Sequence, residues 1–271
     1  LVNSMGTGVF RPLEVIGNRY EVFRMLGQGG IGIVYLVHDR QRKEEVALKV
    51  LRPEFAKHEL ALQRFIREVK AVRQIDHEGI VKVHDTGKLG DILFYTMEYI
   101  EGTPLSDAIK KNGPFDPADA LTTVADACDI LTAVHEVAIH RDISSDNVMR
   151  ATDGHLRILD FGTARIAGQE SELTAVGMHL GKQCYAPPEQ MSDARSVDAR
   201  ADIYSLGMLL YELLSGKLTY GFESVCAQRP EVPAICDEIL KKALAGNPDD
   251  RYQTAADMRD ALRAAVESIA A

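Results

Sequence analysis

Cysteine is scarce in this sequence: Cys128, Cys184, Cys226 and Cys236 stand apart in 271 residues, with no C-x-x-C spacing. That pattern suggests neither a disulfide framework nor a zinc site, fits a reducing compartment, and leaves buried thiols as the simplest role. A basic excess is lacking as well. Lys and Arg number 31 against 40 Asp and Glu, for a net charge of −9, which argues against general nucleic-acid binding, because phosphate affinity comes from clustered cations that displace counterions. No apolar run approaches the ~20 residues of a membrane-spanning helix, and no basic region followed by a short apolar stretch marks a signal peptide. This piece is therefore expected to make no membrane contact, with an anchor elsewhere in a longer protein left open. Internal repeats and low-complexity tracts are missing too. Leu1 rather than Met opens the chain, and residues 1–17 are read as a tag remnant or N-terminal extension.

What remains is ordinary globular composition, 46% apolar and 26% charged, long enough for one large domain or two lobes. From Tyr20 to about Ile100 short β-rich runs dominate: Tyr20 to Leu26, Ile33 to Asp39, Glu45 to Leu51, Val81 to Thr86 and Ile92 to Tyr99. One helical stretch interrupts them, Leu60 to Ile75, where Leu62, Phe65, Ile66, Val69 and Val72 recur at three- and four-residue spacing. After the junction at Gly102 to Pro104 the pattern turns helical. Asp116 is a candidate N-cap with Pro117 at the first helical position, and Thr254 with Asp257 forms a capping box. Ala201 to Leu214 is an apolar helix stopped by Gly216, and Asp153-Gly154 joins two short strands, Val148 to Met149 and Leu156 to Leu159. The expected fold is α+β and bilobal. A small antiparallel lobe with one helix occupies residues 18–100, and a larger, mainly helical lobe occupies residues 101–271.

Several constellations in this frame carry chemistry. Gly27, Gly29, Gly30 and Gly32 have the spacing that lets backbone amides approach phosphate oxygens. Because a strand pattern, Ile33 to Val37, follows them, they read as a hairpin flap and not as a strand-to-helix dinucleotide loop; taken singly, a plain glycine-rich turn is an equal reading. Lys49, in the strand Val46-Ala47-Leu48-Lys49, needs anions if its apolar neighbours exclude water, and Glu68 on the predicted helix is a candidate partner. Snorkelling to water is the alternative. His140-Arg141-Asp142, Asn147 and Asp160-Phe161-Gly162 supply a base or hydroxyl-orienting carboxylate and two oxygen ligands for magnesium, a hard ion that takes its remaining ligands from water and phosphate. Each tripeptide alone could be a turn or a satisfied polar core; their order makes chance improbable.

In that order the motifs resemble the eukaryotic-like (Hanks-type) protein kinase catalytic domain, in its bacterial Ser/Thr branch. The resemblance covers nearly the whole chain and extends to Tyr185-Ala186-Pro187-Pro188-Glu189, the end of an activation segment, to Asp202-Ile203-Tyr204-Ser205-Leu206-Gly207, a central helix, and to Arg251, expected to pair with Glu189. It implies an enzyme that uses ATP with Mg2+ or Mn2+ to phosphorylate Ser or Thr hydroxyls of a protein substrate in the cytoplasm. By similarity Asp142 is the catalytic aspartate, Lys49 and Glu68 the phosphate-facing pair, and Asn147 and Asp160 the metal ligands. Nucleotide contacts would come from Gly27, Gly29 and Gly32, and Met97 is the gatekeeper position. The Glu98 carbonyl and Ile100 amide would bond the adenine edge, and Leu26, Val34, Ala47 and Met149 would sandwich the ring.

This chain departs from that pattern at two positions. Ser144 stands where the family's Ser/Thr members carry a lysine two residues after the catalytic aspartate, and Lys182 stands where the substrate-facing loop has a threonine. The two changes look reciprocal and suggest that Lys182 serves the γ-phosphate from the opposite side. The region after the central helix is short, with room over Tyr220 to Arg229 for a single helical turn or an irregular loop. By resemblance, Arg141 belongs to a pocket that binds a phosphorylated activation-segment residue. Thr174 is the first candidate for that residue and Ser171 the second, and autophosphorylation would call for a transient dimer. Other classes compatible with the sequence are a nucleotide-binding pseudokinase scaffold, motivated by Ser144 and Lys182, and a small-molecule phosphotransferase, which Glu189 with Arg251 disfavours.

Overall fold

A computed structural model describes residues 9–29, 31–161, 165–166, 182–192, 197–219 and 222–270, without the side chains of Arg64, Arg165, Ile166, Lys182 and Ser192. These residues fall into two units. The first ends at Arg73 and resumes over Val81–Ile100; the second takes Gln74–Ile80 and everything from Glu101 onward.

The first unit is a six-stranded antiparallel sheet with one helix. Its strands are β1 (Val15–Ile16), β2 (Tyr20–Gln28), β3 (Gly32–Asp39), β4 (Glu44–Leu51), β5 (Val83–Leu89) and β6 (Ile92–Glu98), in the order β1-β2-β3-β4-β6-β5. The helix is α1 (Glu59–Val72). Residues 46 to 51 of β4 are buried on both faces. Alternation along the strand puts Val46, Leu48 and Val50 into one cluster with Val22, Tyr35 and Val37. Leu51 joins the other cluster, with Phe65 and Val69 of α1 and Tyr95 of β6. Lys49 shares that second face, so the strand that needs two apolar surfaces also carries an ammonium toward the helix. β5 runs three residues past Thr86, through Gly87, because the Phe94 ring lies over that position: a Cβ on Gly87 would sit 2.5 Å from it. Gly87 is therefore a packing glycine inside the strand and not a strand breaker.

The second unit is mainly helical. In order it contains β7 (Gly102–Pro104), α2 (Leu105–Asn112), α3 (Pro117–His135), β8 (Ala138–Ile139), β9 (Val148–Ala151), β10 (Leu156–Ile158), β11 (Arg165–Ile166), α4 (Pro188–Ser192), α5 (Arg200–Ser215), α6 (Val225–Gln228), α7 (Ala234–Ala243) and α8 (Ala255–Ala270). Local chemistry sets several boundaries. Asp116 accepts a hydrogen bond from the Ala118 amide ahead of Pro117; Gly216 ends α5 at φ +75°; and Thr254 and Asp257 exchange reciprocal 3.0 Å bonds to each other's amides. β9 and β10 form an antiparallel hairpin around Asp153-Gly154, with Gly154 at φ +88°. α6 is a single turn, capped by Ser224 and held by Asp237, which accepts from the Val225 amide at 2.9 Å. The loop before β5 also belongs to this unit: Ile158 donates to the Gly79 carbonyl at 2.9 Å. Cys128 and Cys236 are buried and Cys184 and Cys226 half-buried, all as free thiols, and burial pushes Cys236 up to about 12. Among the described residues no helix is long and apolar enough to cross a membrane.

α5 is buried along twelve of its sixteen residues, so its sequence answers to its neighbours on every side. Gly207 shows the consequence. A Cβ there would lie 2.9 Å from both Ala243 Cβ and Leu244 Cδ2. Gly207→Ala should therefore destabilise the protein by about 1–3 kcal/mol through overpacking, although alanine is intrinsically the better helix former by about 1 kcal/mol. Chemical denaturation of the two proteins measures the sign, and a stabilised variant would show that α7 can shift aside.

Candidate active site

In the first unit, strand register assembles one group of side chains. Val34 lies opposite Lys49, and Ala47 lies opposite Met97, which places all four on the sheet face that α1 covers. Lys49 is 7% exposed and Glu68 2%, and Lys49 Nζ donates to Glu68 Oε1 at 2.6 Å. Neither charge could stay buried without such a partner. The helix supplies Glu68 because Phe65, Glu68, Val69 and Val72 share its inner stripe.

The glycine segment is a β2–β3 hairpin. Gly27 pairs with Val34 and Gln28 with Ile33, and the Gly29 amide donates to the Gly32 carbonyl at 2.8 Å. No described atom lies within 4 Å of where a Cβ would project from Gly27, whereas at Gly32 a Cβ would meet Lys49 Cε and the Val50 carbonyl at 3.1 Å. Gly32 is thus glycine for packing, while Gly27 leaves open space over its backbone. Leu26 sits at the β-bulge between Met25 and Gly27. The Glu98 amide donates to Lys82, and the Ile100 amide donates to no described residue.

In the second unit the chemistry-bearing loop runs between β8 and β9 and is fixed from α5. Asp202, fully buried, accepts from the His140 amide at 2.9 Å, the Arg141 amide at 2.7 Å and His135 Nε2 at 2.8 Å. Burial alone would raise its carboxyl, but the His135 hydrogen bond and the charges and amides around it hold it below the usual carboxylate range. This clamp maintains Arg141 at φ +67°, a left-handed conformation that costs a non-glycine residue about 1–3 kcal/mol.

His140 Nδ1 accepts from the Asp142 amide at 3.3 Å, so its proton resides on Nε2, which donates to the Leu159 carbonyl at 3.2 Å. Burial holds this histidine's pKa down and keeps the ring neutral, and the ring meets Phe161 edge-on at 4.5 Å. Asn147 Nδ2 donates to the Asp142 carbonyl at 2.7 Å and to Asp142 Oδ2 at 2.9 Å. With both amide protons committed, Asn147 Oδ1 is the atom left to act as an acceptor. The Leu159 amide donates to the Asn147 carbonyl at 2.8 Å, which carries the chain directly into Asp160, at φ +62°. A carboxylate, an amide oxygen and a second carboxylate on a strained turn therefore come from one hydrogen-bonded loop system. Among the described residues no three His, Cys, Asp or Glu side chains form a metal cage. Asn147 and Asp160 still suit a hard cation that draws other ligands from phosphate and water.

Ser144 is 1% exposed, and its Oγ has no partner among the described residues. Its neighbour Ser145 donates its amide to the Tyr185 hydroxyl at 3.2 Å, and that hydroxyl donates to Glu212 of α5. Burial pushes both Tyr185 and Glu212 above their ordinary values. Beyond Tyr185, Glu189 receives a two-pronged bond from Arg251, at 2.7 and 2.8 Å. Lys182 begins the short 3-10 turn that ends at Tyr185; Gly162, Thr163, Ser171 and Thr174 lie outside the described residues. Met149 is half-buried on β9.

Sequence reasoning took the segment beginning at Asp202 as a helix and missed what its carboxylate does. A signal was present: an acid at the head of a helix apolar enough to be buried all round must find donors inside the protein. The linked trio Ser145, Tyr185 and Glu212 has no comparable sequence signal.

Residues 20–263 match the family described as protein kinase domain. The serine/threonine-protein kinase PknB of Mycobacterium leprae is 37% identical over 264 residues, covering 90% of this chain and 42% of PknB. PrkC of Bacillus subtilis, also titled a serine/threonine-protein kinase, is 34% identical over 269 residues, covering 93% of this chain and 41% of PrkC. The chain thus spans less than half the length of these curated relatives. Among solved structures, the PknI kinase domain of Mycobacterium tuberculosis superimposes with a TM-score of 0.74 at 28% identity, over 95% of this chain and 99% of that one.

Proposed function

We propose that this chain, which belongs to the protein kinase family, transfers the γ-phosphoryl group of ATP to serine or threonine hydroxyls of a protein substrate. The observation that carries the reading is the Asp142–Asn147 arrangement, in which one amide side chain steadies the carboxylate through its nitrogen and keeps its oxygen for a cation. In this reading Asp142 orients the attacking hydroxyl and accepts its proton. Lys49, held by Glu68, serves the α- and β-phosphates, and Asn147 and Asp160 hold Mg2+, for which Mn2+ can substitute. The bound metal offsets charge on the phosphate oxygens. Leu26, Val34, Ala47 and Met149 sandwich the adenine and Met97 is the gatekeeper. The unsatisfied Ile100 amide and the Glu98 carbonyl take the adenine edge. Gly27, Gly29 and Gly32 form the hairpin that covers the phosphates, with open space over the Gly27 backbone. ATP chemistry of this kind belongs to the cytoplasm.

Ser144 and Lys182 are read as a reciprocal exchange, with Lys182 neutralising the γ-phosphate and Ser144 standing where a hydroxyl is needed. The buried, unpartnered Ser144 Oγ supports this, since a hydroxyl in that position calls for a partner. Lys182→Met is expected to lower turnover about 100-fold or more with little change in ATP affinity; steady-state kinetics showing unchanged turnover would remove the exchange. Arg141 belongs to a pocket for a phosphorylated activation-segment residue, Thr174 before Ser171, formed by autophosphorylation in a transient dimer.

The test of the whole reading is incubation of the chain with Mg2+ and γ-labelled ATP, with and without a generic basic protein. Label on serine or threonine, abolished by chelation of the metal, supports a kinase. Nucleotide binding without label would favour a pseudokinase scaffold, the reading that the loss of the usual lysine at Ser144 motivates.

A further inference from the structure

A groove on the second unit is lined by none of the residues assigned above to nucleotide, metal or phosphoryl transfer. It is an open depression of about 310 Å³ between α2, the edge strand β7 and the end of β9, the size of one apolar side chain lying on the surface. Its floor is apolar: Leu105, Ala108, Phe115 and Ala151. β7 approaches β9 so closely that a Cβ on Gly102 would lie 2.5 Å from the Arg150 carbonyl, so the wall is backbone packed against backbone, built into the fold.

The charge around this floor is unusual for the chain. Acids outnumber bases by 40 to 31 overall, yet the charged residues that line the groove are Lys111 and Arg150, without a carboxylate. Lys111, exposed on the last turn of α2, has no described partner, whereas the adjacent Lys110 pairs with Asp107 and faces away from the lining. Arg150 commits Nη2 to Asp119 and Thr123, which fixes the guanidinium; its remaining nitrogens donate to no described residue. One apolar slot flanked by Lys111, which has no described partner, and by Arg150, which balances Asp119 and keeps further N–H donors, is complementary to an apolar side chain with a carboxylate beside it.

We infer that this groove is a docking site for an acidic peptide segment of a partner protein, carrying a phenylalanine or leucine between aspartates or glutamates. The identification of that partner as a phosphorylation substrate rests on the kinase reading; the binding itself does not. The probe is a fluorescein-labelled hexapeptide, Asp-Phe-Asp-Leu-Glu-Asp, titrated with the whole chain and followed by anisotropy. Saturable binding is expected that weakens about tenfold in Lys111→Glu, weakens similarly in Ala108→Leu, which narrows the slot without altering charge, and is unchanged in Lys110→Glu. A peptide with serine in place of phenylalanine and leucine should not bind. No binding of the first peptide, equal binding of the serine peptide, or an equal loss in Lys110→Glu would each overturn the site, the last two because they reduce the effect to general electrostatics. Labelling of the generic basic protein by Lys111→Glu should match the unsubstituted chain. If neither protein transfers label, the kinase reading fails while the binding result stands on its own.

Discussion

Asp142→Asn is expected to lower phosphoryl transfer by about 100- to 10,000-fold while ATP affinity and stability stay close to those of the unsubstituted protein. The substitution is isosteric, and an asparagine oxygen can still accept the bond from Asn147 Nδ2 that now ends 2.9 Å away on Asp142 Oδ2. The backbone contacts do not involve the carboxylate: the residue 142 amide still reaches His140 Nδ1 and its carbonyl still receives Asn147. In the proposed reading, what disappears is the capacity to take a proton from the attacking hydroxyl. Labelled-ATP turnover beside nucleotide titration separates these effects. Turnover retained within tenfold would show that residue 142 orients the hydroxyl and accepts no proton, whereas a large loss of stability would show that its charge supports the loop.

The second large effect concerns stability. Arg251→Ala should cost about 3–5 kcal/mol, because removing one member of a buried ion pair strands the groups it satisfied. The Arg251 side chain is fully buried. It serves both oxygens of Glu189, the carbonyls of Ala245 at 2.8 Å and Arg200 at 3.0 Å, and packs over the Tyr204 ring at 5.0 Å. For a chain of this length the loss corresponds to roughly 10 °C in melting temperature. Arg251→Lys should recover less than half of it, since a single ammonium cannot reproduce the fork that reaches a carboxylate and two separate carbonyls. Thermal unfolding of the three proteins decides the matter. Near-complete recovery by lysine would assign the stabilisation to charge alone.

Much of this molecule could be read before any coordinates because its signals are local. Asp116 before Pro117, Gly216 after an apolar run, and Thr254 three residues before Asp257 each set a helix end through atoms a few residues apart. Lys49 and Glu68 could be matched as partners because each sat in an apolar pattern that demanded one. Glu189 with Arg251 was legible only through family resemblance, as nothing local joins residues 62 apart. β7, β8 and β11 escaped because two or three residues carry no periodicity and exist only where another strand receives them. α2 and α7 went unread for a related reason: short amphipathic stretches take their helicity from the surface they cover. The extension of β5 through Gly87 to Leu89 had no sequence signal, since that glycine is required by Phe94 across the sheet.

The clamp from Asp202 also orders events in time. Its bonds to His140 and Arg141 close over 62 and 61 residues, so a growing chain that has just emerged past Asp160 carries Lys49, Glu68, Asp142, Asn147 and Asp160 and still lacks the contacts that fix the backbone at His140 and Arg141. The left-handed backbone at Arg141 becomes affordable only after α5 has been synthesised and packed, because contacts so distant in sequence form late. The backbone at His140 and Arg141 therefore takes its geometry from a helix that adds no side chain to the proposed chemistry, and a chain cut before α5 would carry Asp142, Asn147 and Asp160 without the carboxylate that sets their loop.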